Sequence, residues 1–511
     1  MNTIAPSRPW WRHPALWVAL FAIVTTFAFL GMRGIWDPDE GRYTNVALNM
    51  VDSGDWLIPR RSYEVEHWTK PPLTYWAIAS SIKAFGSNAF AARLPSAFSH
   101  LLCVLLVGLM GRRLAPGNGV RAALVYAAML FPFGASQMIT TDYLLTATET
   151  LALWAFVEAR FGVAHPKRWL VLMWGAFGLA FLTKGPPGLL PLLPILLFDA
   201  LTRTPGRPGV FRPVGLLLFV AIAAPWYIAV TQKTPGLMGY FLGSEVVGRV
   251  ATDEFKRHGE WYGWFAIYAP TLVIGTLPWS RALWRWMRGL RAQVRAWRAD
   301  AATRLADAHW LLPTLWALVP LLIFCIARSR LPLYILPLFA PLALLVTLQS
   351  LRDGRAMPRP GAMLVWALVM LGLKIASAHY PTHKDAREWS RAIRDRTTGR
   401  VEEVLFVEDM ARYGVHLHSG PHVQIEKLSI EPVNNDARFN PEYDESLVGE
   451  LSEHEDAQLW VCKVADWPRV SAIVRREGYE PVPQGTPYQD RIFFRTIALT
   501  GPAAVAAPPA R

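Results

Sequence analysis

Cysteine is nearly absent: the 511 residues hold three, Cys103, Cys325 and Cys462. Two fall in apolar runs and the third stands alone in the polar C-terminal part, so neither a disulfide framework nor a Cys-rich metal site is predicted. Charge is scarce at 18% of residues, and acid is the scarcer sign, with 39 Asp and Glu against 52 Lys and Arg. No Gly-rich phosphate loop or Rossmann fingerprint appears, which argues against a nucleotide site. No internal repeat is visible. There is no soluble basic domain with readout residues, so the net charge of +13 does not point to nucleic acid.

What is abundant is apolar sequence. Hydrophobic residues make up 52% of the chain and its mean hydropathy is +0.22, too high for an ordinary soluble protein. Residues 15–32 carry no charge and are just long enough to cross a bilayer core of about 30 Å. They lack a small-residue cleavage site, so they read as a retained signal anchor. Further spans are predicted near 96–111, 120–138, 143–161, 168–183, 185–200, 213–231, 262–280, 308–327, 331–350 and 361–379. That makes about eleven. The fold class is therefore mainly α, a polytopic transmembrane helical bundle.

Arginine sets the expected orientation. Arg281, Arg285, Arg288, Arg291, Arg295, Arg298 and Arg304 face a single Asp300 in one connection. Arg112, Arg113 and Arg121, then Arg203, Arg207 and Arg212, then Arg352, Arg355 and Arg359 fill three more. With the spans counted as above, all four lie on one side, which the positive-inside rule makes cytoplasmic, with anionic lipid as the main partner of the charge. The N-terminus is then cytoplasmic, and the loops 33–95 and 232–261 and the C-terminal segment face the periplasm of a bacterial inner membrane.

From about residue 381 long apolar runs stop. VEEVLFVED, AQLWVCKVA and RIFFRTIAL read as strands, and DAREWSRAIRDR as an amphipathic helix. The predicted organisation is a membrane domain over 1–380, a small periplasmic α/β domain over 381–498, and a disordered tail over 499–511.

Chemistry-bearing residues concentrate in the first outer loop. Asp39 and Glu40 follow Pro38 and precede an apolar-periodic stretch; such an acid pair can hold a cation, take a proton from a hydroxyl or position an amine, and it equally suits a helix N-terminus. Lys70, before Pro71-Pro72, suits a lipid phosphate or plain snorkelling. Lys184, in LTKGPPG, and Arg328 and Arg330, in ARSRLPLY, carry the same two readings. Asp142 opens a span, where a carboxylate is costly unless paired; Glu149, two turns deeper, is a candidate partner. His258 suits a cation ligand or a solvated loop position.

In this order, DPDEGRY (37–43), SGDWLIP (53–59), WTKPPLTYW (68–76), FAARLPSA (90–97), TKG (183–185) and RLPLYILP (330–337) resemble the GT-C superfamily of membrane glycosyltransferases. Within it they are most similar to the protein O-mannosyltransferase-like group that includes the ArnT-like lipid A aminoarabinose transferases. The resemblance implies the GT-C type of membrane fold and transfer of a sugar from a polyprenyl-phosphate donor to lipid A or another envelope acceptor. It puts the catalytic or cation-binding carboxylate on Asp39, with Glu40, Arg42 and Tyr43 beside it. It places Lys70 near the donor phosphate, for which Arg42, Lys184, Arg328, Arg330 and Tyr334 are further candidates. Tyr43, Asp142 and His258 are the expected substrate contacts, and Asp39 with His258 the candidate metal ligands for a divalent cation. One departure concerns that cation: relatives often carry an acid before the lysine, and here Thr69 stands there, leaving Glu66 or His67 as substitutes. Two other readings stay open. One is a related transferase acting on protein or another glycan; the other is a polyprenyl-linked sugar transporter or flippase, which usually shows broken helices in two related halves.

Overall fold

The computed structural model describes residues 13–243, 259–420, 423–433, 438–453 and 457–499. The expected tail from Thr500 onward and residues 244–258 of the 232–261 loop, with His258, lie outside the described residues. The chain divides into two compact units: Met1–Arg33, Trp56–Ile58 and Trp68–Tyr380 form the first, and Gly34–Asp55, Pro59–His67 and Pro381–Arg511 the second. The second unit thus includes pieces of the first loop as well as the C-terminal segment.

The first unit is helical. Ala89–Leu114, Pro213–Lys233, Ala308–Ile326, Pro332–Arg352 and Pro360–Ala378 are each long and apolar enough to cross a membrane. Pro14–Phe27, Pro186–Leu201 and Gly263–Gly275 are shorter apolar helices. Exposed Leu217, Val220, Leu364 and Leu368 on these helices are apolar surface of a kind that only lipid or a partner covers. The chain is therefore a multi-pass membrane protein. The run expected to span 120–138 breaks into Gly119–Ala127 and Leu130–Ala135. Thr141–Phe161 and Pro166–Lys184 match two other expected spans but carry more charge. Backbones approach closely where small residues meet, as at Gly111, where a Cβ would lie 2.5 Å from the Ala122 methyl.

Thr141–Phe161 and Pro166–Lys184 pack extensively, joined by only four residues. At about 1.5 Å per residue both run roughly 30 Å, so the start of the first returns beside the end of the second. That hairpin positions Asp142 and Lys184.

The second unit is built on a six-stranded sheet: β1 Glu403–Val407, β2 Gln424–Ser429, β3 Glu445–Ser446, β4 Gln458–Lys463, β5 Tyr479–Pro483 and β6 Arg491–Ala498. Their spatial order is β3-β2-β1-β4-β6-β5, with β3, β2, β1 and β4 parallel and β6 antiparallel to both β4 and β5. The three segments read as strands from the sequence are β1, β4 and β6. Strand β1 is buried along nearly all its length because helices cover both faces. On one face Trp389, from the helix Ala386–Arg396, meets Phe406 and Phe493. On the other, Val470 and Val474 from Trp467–Arg476 join Leu405, Val407 and Trp460.

Candidate active site

In the second unit, the motif DPDEGRY begins the helix Asp39–Ser53. Its three acids take three different positions. Glu40 is buried and its carboxylate accepts the Trp36 N–H at 2.9 Å, tying the segment ahead of the helix to its first turn. Asp37 is buried and accepts the Gly414 N–H at 3.0 Å, from the sheet domain. Burial pushes the Asp37 carboxyl up to about 8, against the downward pull of that hydrogen bond and of Arg412 and Arg42. Asp39 is exposed. The expected side-chain cap does not form, because Pro38 holds the cap position and Glu40 turns back to Trp36; Asp39 is the exposed acid of the pair. Arg42 and Tyr43, in the next turn, are half-buried.

Gly41 explains part of the motif. A Cβ there would stand 1.7 Å from Asp37 Oδ1 and 2.5 Å from the Gly414 nitrogen, so a side chain and this contact are incompatible. Further along the helix, His416 Nδ1 bonds Asn45 Oδ1 at 2.8 Å and His416 Nε2 lies 3.3 Å from Asp52. Asn45 and Asn49 donate to the Arg61 carbonyl, and the Arg61 guanidinium pairs with Asp444 at 2.6 Å. The Tyr63 N–H donates to Gln424 at 2.9 Å. The helix bearing Asp39 is therefore built into the sheet domain through Asp37, Asn45, Asp52 and Arg61. Of the proposed substitutes near Thr69, His67 is buried with its N–H on the Pro59 carbonyl, and Glu66 bridges backbone to backbone with Arg60.

In the first unit the structure brings together Asp142, Lys184 and Tyr334. Thr140 caps the helix start by accepting the Asp142 N–H, and Lys184 ends the following helix, where Gly185 turns the chain at φ 72°. Lys184 Nζ lies 2.5 Å from Asp142 Oδ1 and 4.9 Å from the centre of the Tyr334 ring. The ion-pair partner of Asp142 is thus Lys184, while Glu149 is itself buried two turns deeper in the same helix. Both pair members keep a small exposed fraction, 13% and 11% of their side chains, so the ammonium retains an open side.

Arg330 is buried and donates to the Glu260 and Cys325 carbonyls at 2.8 and 3.1 Å, which fixes the loop ahead of Tyr334. Arg328 is exposed. Lys70 is half-buried and donates to the Thr69 carbonyl; Trp68 beside it packs against Trp226 and Phe241. The motif residues around it are backbone anchors: the Trp76 and Trp226 indoles donate to the Trp56 and Leu57 carbonyls. Arg93, of FAARLPSA, is buried and donates to the Leu30 and Arg33 carbonyls, closing the end of the first helix.

Three structural residues escaped the sequence reading. Lys374, buried in Pro360–Ala378, donates to the Thr25 and Thr26 carbonyls at the end of Pro14–Phe27. Asp409 and Arg412 form a buried pair that Arg491 joins at 2.9 Å. A charge inside a predicted span was the available signal for Lys374; nothing local marked the other two. Among the described residues no group of three His, Cys, Asp or Glu side chains could hold a metal ion.

Residues 69–228 match the family described as dolichyl-phosphate-mannose-protein mannosyltransferase. An undecaprenyl phosphate-alpha-4-amino-4-deoxy-L-arabinose arabinosyl transferase of Pseudomonas fluorescens is 32% identical over 367 residues, covering 69% of this chain and 64% of its own length. Its counterpart in Pectobacterium carotovorum is 30% identical over 382 residues, 71% of this chain and 65% of that one. The chain thus spans just under two thirds of the length of these curated relatives. The crystal structure of ArnT from Cupriavidus metallidurans bound to undecaprenyl phosphate shares the fold with a TM-score of 0.73 at 21% identity, covering 94% of this chain and 98% of that one. The apo form of the same protein superposes with a TM-score of 0.70. In sequence over about two thirds of its length, and in fold over nearly all of it, this chain is similar to the ArnT-like glycosyltransferases of the GT-C superfamily.

Proposed function

We propose that this protein is an integral inner-membrane glycosyltransferase that moves a sugar from a polyprenyl-phosphate donor to a periplasmic acceptor, with 4-amino-4-deoxy-L-arabinose and lipid A as the pair tested first. The observation that carries the reading is the match, over 69% and 71% of this chain, to transferases named for an undecaprenyl-phosphate-linked aminoarabinose. The fold shared with an ArnT crystallised on undecaprenyl phosphate supports it.

In the proposed reaction an acceptor oxygen attacks the anomeric carbon, the bond from that carbon to the phosphate oxygen breaks, and polyprenyl phosphate leaves. A departing phosphate gains charge, so fixed cations lower the barrier. Lys70 and Arg328 are assigned to it, with Arg42 and Arg330 as further candidates. Lys184, already paired with Asp142 and set against Tyr334, is assigned to donor orientation. If the acceptor is a hydroxyl, Asp39 takes its proton. A lipid A phosphate is already anionic, and Asp39 then orients an amine or holds a cation. Tyr43 and Glu40 are placed beside it as substrate contact and support. A divalent cation on Asp39 and His258 is carried as a proposal: chelation followed by re-addition of Mg²⁺ or Zn²⁺ should remove and restore transfer, and unchanged activity after chelation sinks it.

The deciding experiment is mass spectrometry of lipid A and envelope glycans from cells lacking the protein, complemented with wild type or Asp39→Asn. A sugar mass on lipid A restored by wild type alone supports the donor, acceptor and Asp39 together. A mass on another glycan keeps the transferase and moves the acceptor. Equal restoration by Asp39→Asn rules out its catalytic role.

A further inference from the structure

The helix Ser280–Ala299 carries six arginines and no acid. Its buried face, Ala282, Leu283, Trp286 and Trp297, rests on the bundle. Arg285 is neutralised by Asp353 at 2.7 Å. Arg281, Arg288, Arg291, Arg295 and Arg298 project from exposed positions together with Trp284. With about 100° per residue, Gly289, Ala292 and Ala296 occupy the strip between the arginine face and the buried face.

That strip is one wall of a cavity of about 770 Å³. Leu114 and Pro116 from the end of one helix, and Leu348, Leu351 and Arg352 from the end of another, line it too, with Trp310, His309 and Asp307, whose carboxylate is engaged by the Trp297 indole. The lining is mostly apolar, and its volume is within the roughly 300–1,000 Å³ of small-molecule sites. Three of the four basic connections therefore meet around one apolar cleft. The cleft also lies away from the candidate active site: Arg113 pairs with Glu158 at the end of Thr141–Phe161, about 24 Å along the helix from Asp142.

The geometry points to a specific site for an anionic phospholipid here. One acyl chain lies in the cleft over Gly289, Ala292 and Ala296, where the small side chains make room, and the phosphate meets the exposed arginines. Amphipathic helices of this composition bind at the headgroup boundary, where positive charge and apolar area act together. An arginine row beside an apolar trough matches one ligand chemistry, a lipid with a phosphodiester head and a chain to bury. The inference does not depend on what the enzyme transfers.

The test uses full-length protein in detergent, titrated with phosphatidylglycerol or phosphatidylcholine and read by native mass spectrometry. Wild type should retain one phosphatidylglycerol in preference to phosphatidylcholine. Arg288→Gln, Arg291→Gln and Arg295→Gln should each weaken that retention, roughly fivefold if each contributes as a surface arginine does. Ala292→Trp, and separately Ala296→Leu, should fill the trough and displace the lipid with the arginines intact. Equal retention of the two lipids overturns the proposal. So does loss in the arginine variants without loss in both trough variants, which would leave only diffuse attraction. Displacement of phosphatidylglycerol by stoichiometric undecaprenyl phosphate would reassign the cleft to the donor lipid and overturn it as well.

Discussion

Three acids in the four residues from Asp37 to Glu40 look interchangeable, yet their surroundings separate them into two buried acids with different backbone partners, Asp37 on Gly414 and Glu40 on Trp36, and one exposed carboxylate, Asp39. Asp37 is the case that pH should reveal. Its carboxyl is raised from 3.8 to about 8 by burial, so between those values the folded state holds a proton that the unfolded state has lost. Its contribution to stability is therefore full below about pH 4 and is lost as pH rises through about 8, with a slope approaching about 1.4 kcal/mol per pH unit. Glu426, pushed up to about 9 chiefly by burial, acts in the same direction. Asp37→Asn keeps an acceptor for the Gly414 N–H without a charge, so it should flatten the decline in melting temperature between pH 5 and 8. Asp37→Ala should destabilise at every pH. An unchanged slope in Asp37→Asn would show that Asp37 is not the titrating group.

Two elements decide how the candidate residues are held. In the helix Asp39–Ser53, Gly41→Ala drives a methyl into the Asp37 carboxylate and should cost about 1–3 kcal/mol. Circular dichroism melts measure it, and a neutral result would mean that the Asp37–Gly414 contact yields easily. In the hairpin of Thr141–Phe161 and Pro166–Lys184, removing one member of the Asp142–Lys184 pair strands the other. Lys184→Gln or Asp142→Asn alone should then cost on the order of 3 kcal/mol, with most of it recovered in the double variant. Additive losses would argue that the two are not coupled. Should Lys184 also orient the donor, Lys184→Gln raises KM for it while the double variant, though stable, does not restore KM. The hairpin was legible in outline: two apolar stretches and a short connection were visible. What was missed is that similar lengths return Lys184 to Asp142, so that a carboxylate at the start of its span pairs across the hairpin with Lys184.

For the whole molecule, arginine asymmetry makes a strong expectation. With Cys103, Cys325 and Cys462 replaced by serine, an impermeant maleimide should label Arg288→Cys only from the cytoplasmic side and Glu442→Cys only from the periplasmic side. Labelling of both from one side would refute the orientation. The convergence of Leu114, Ala292 and Leu351 on one cleft agrees with the expectation that their connections share a side.

Composition and periodicity alone determined that this is a membrane protein with a small α/β domain, because burial of apolar sequence in lipid or core leaves a signal in the order of residues. Motif spacing added the candidate residues Asp39, Lys70, Asp142, Lys184 and Tyr334. Only the tertiary structure decided which acids of DPDE are buried, that the helix bearing Asp39 belongs with the sheet domain, and that Asp142 faces Lys184. These depend on partners such as Gly414, 377 residues from Asp37, and on backbone carbonyls that satisfy Lys374 and Arg330. A contact between distant residues is set by close packing and hydrogen-bond satisfaction in three dimensions, and neither has a period along the chain.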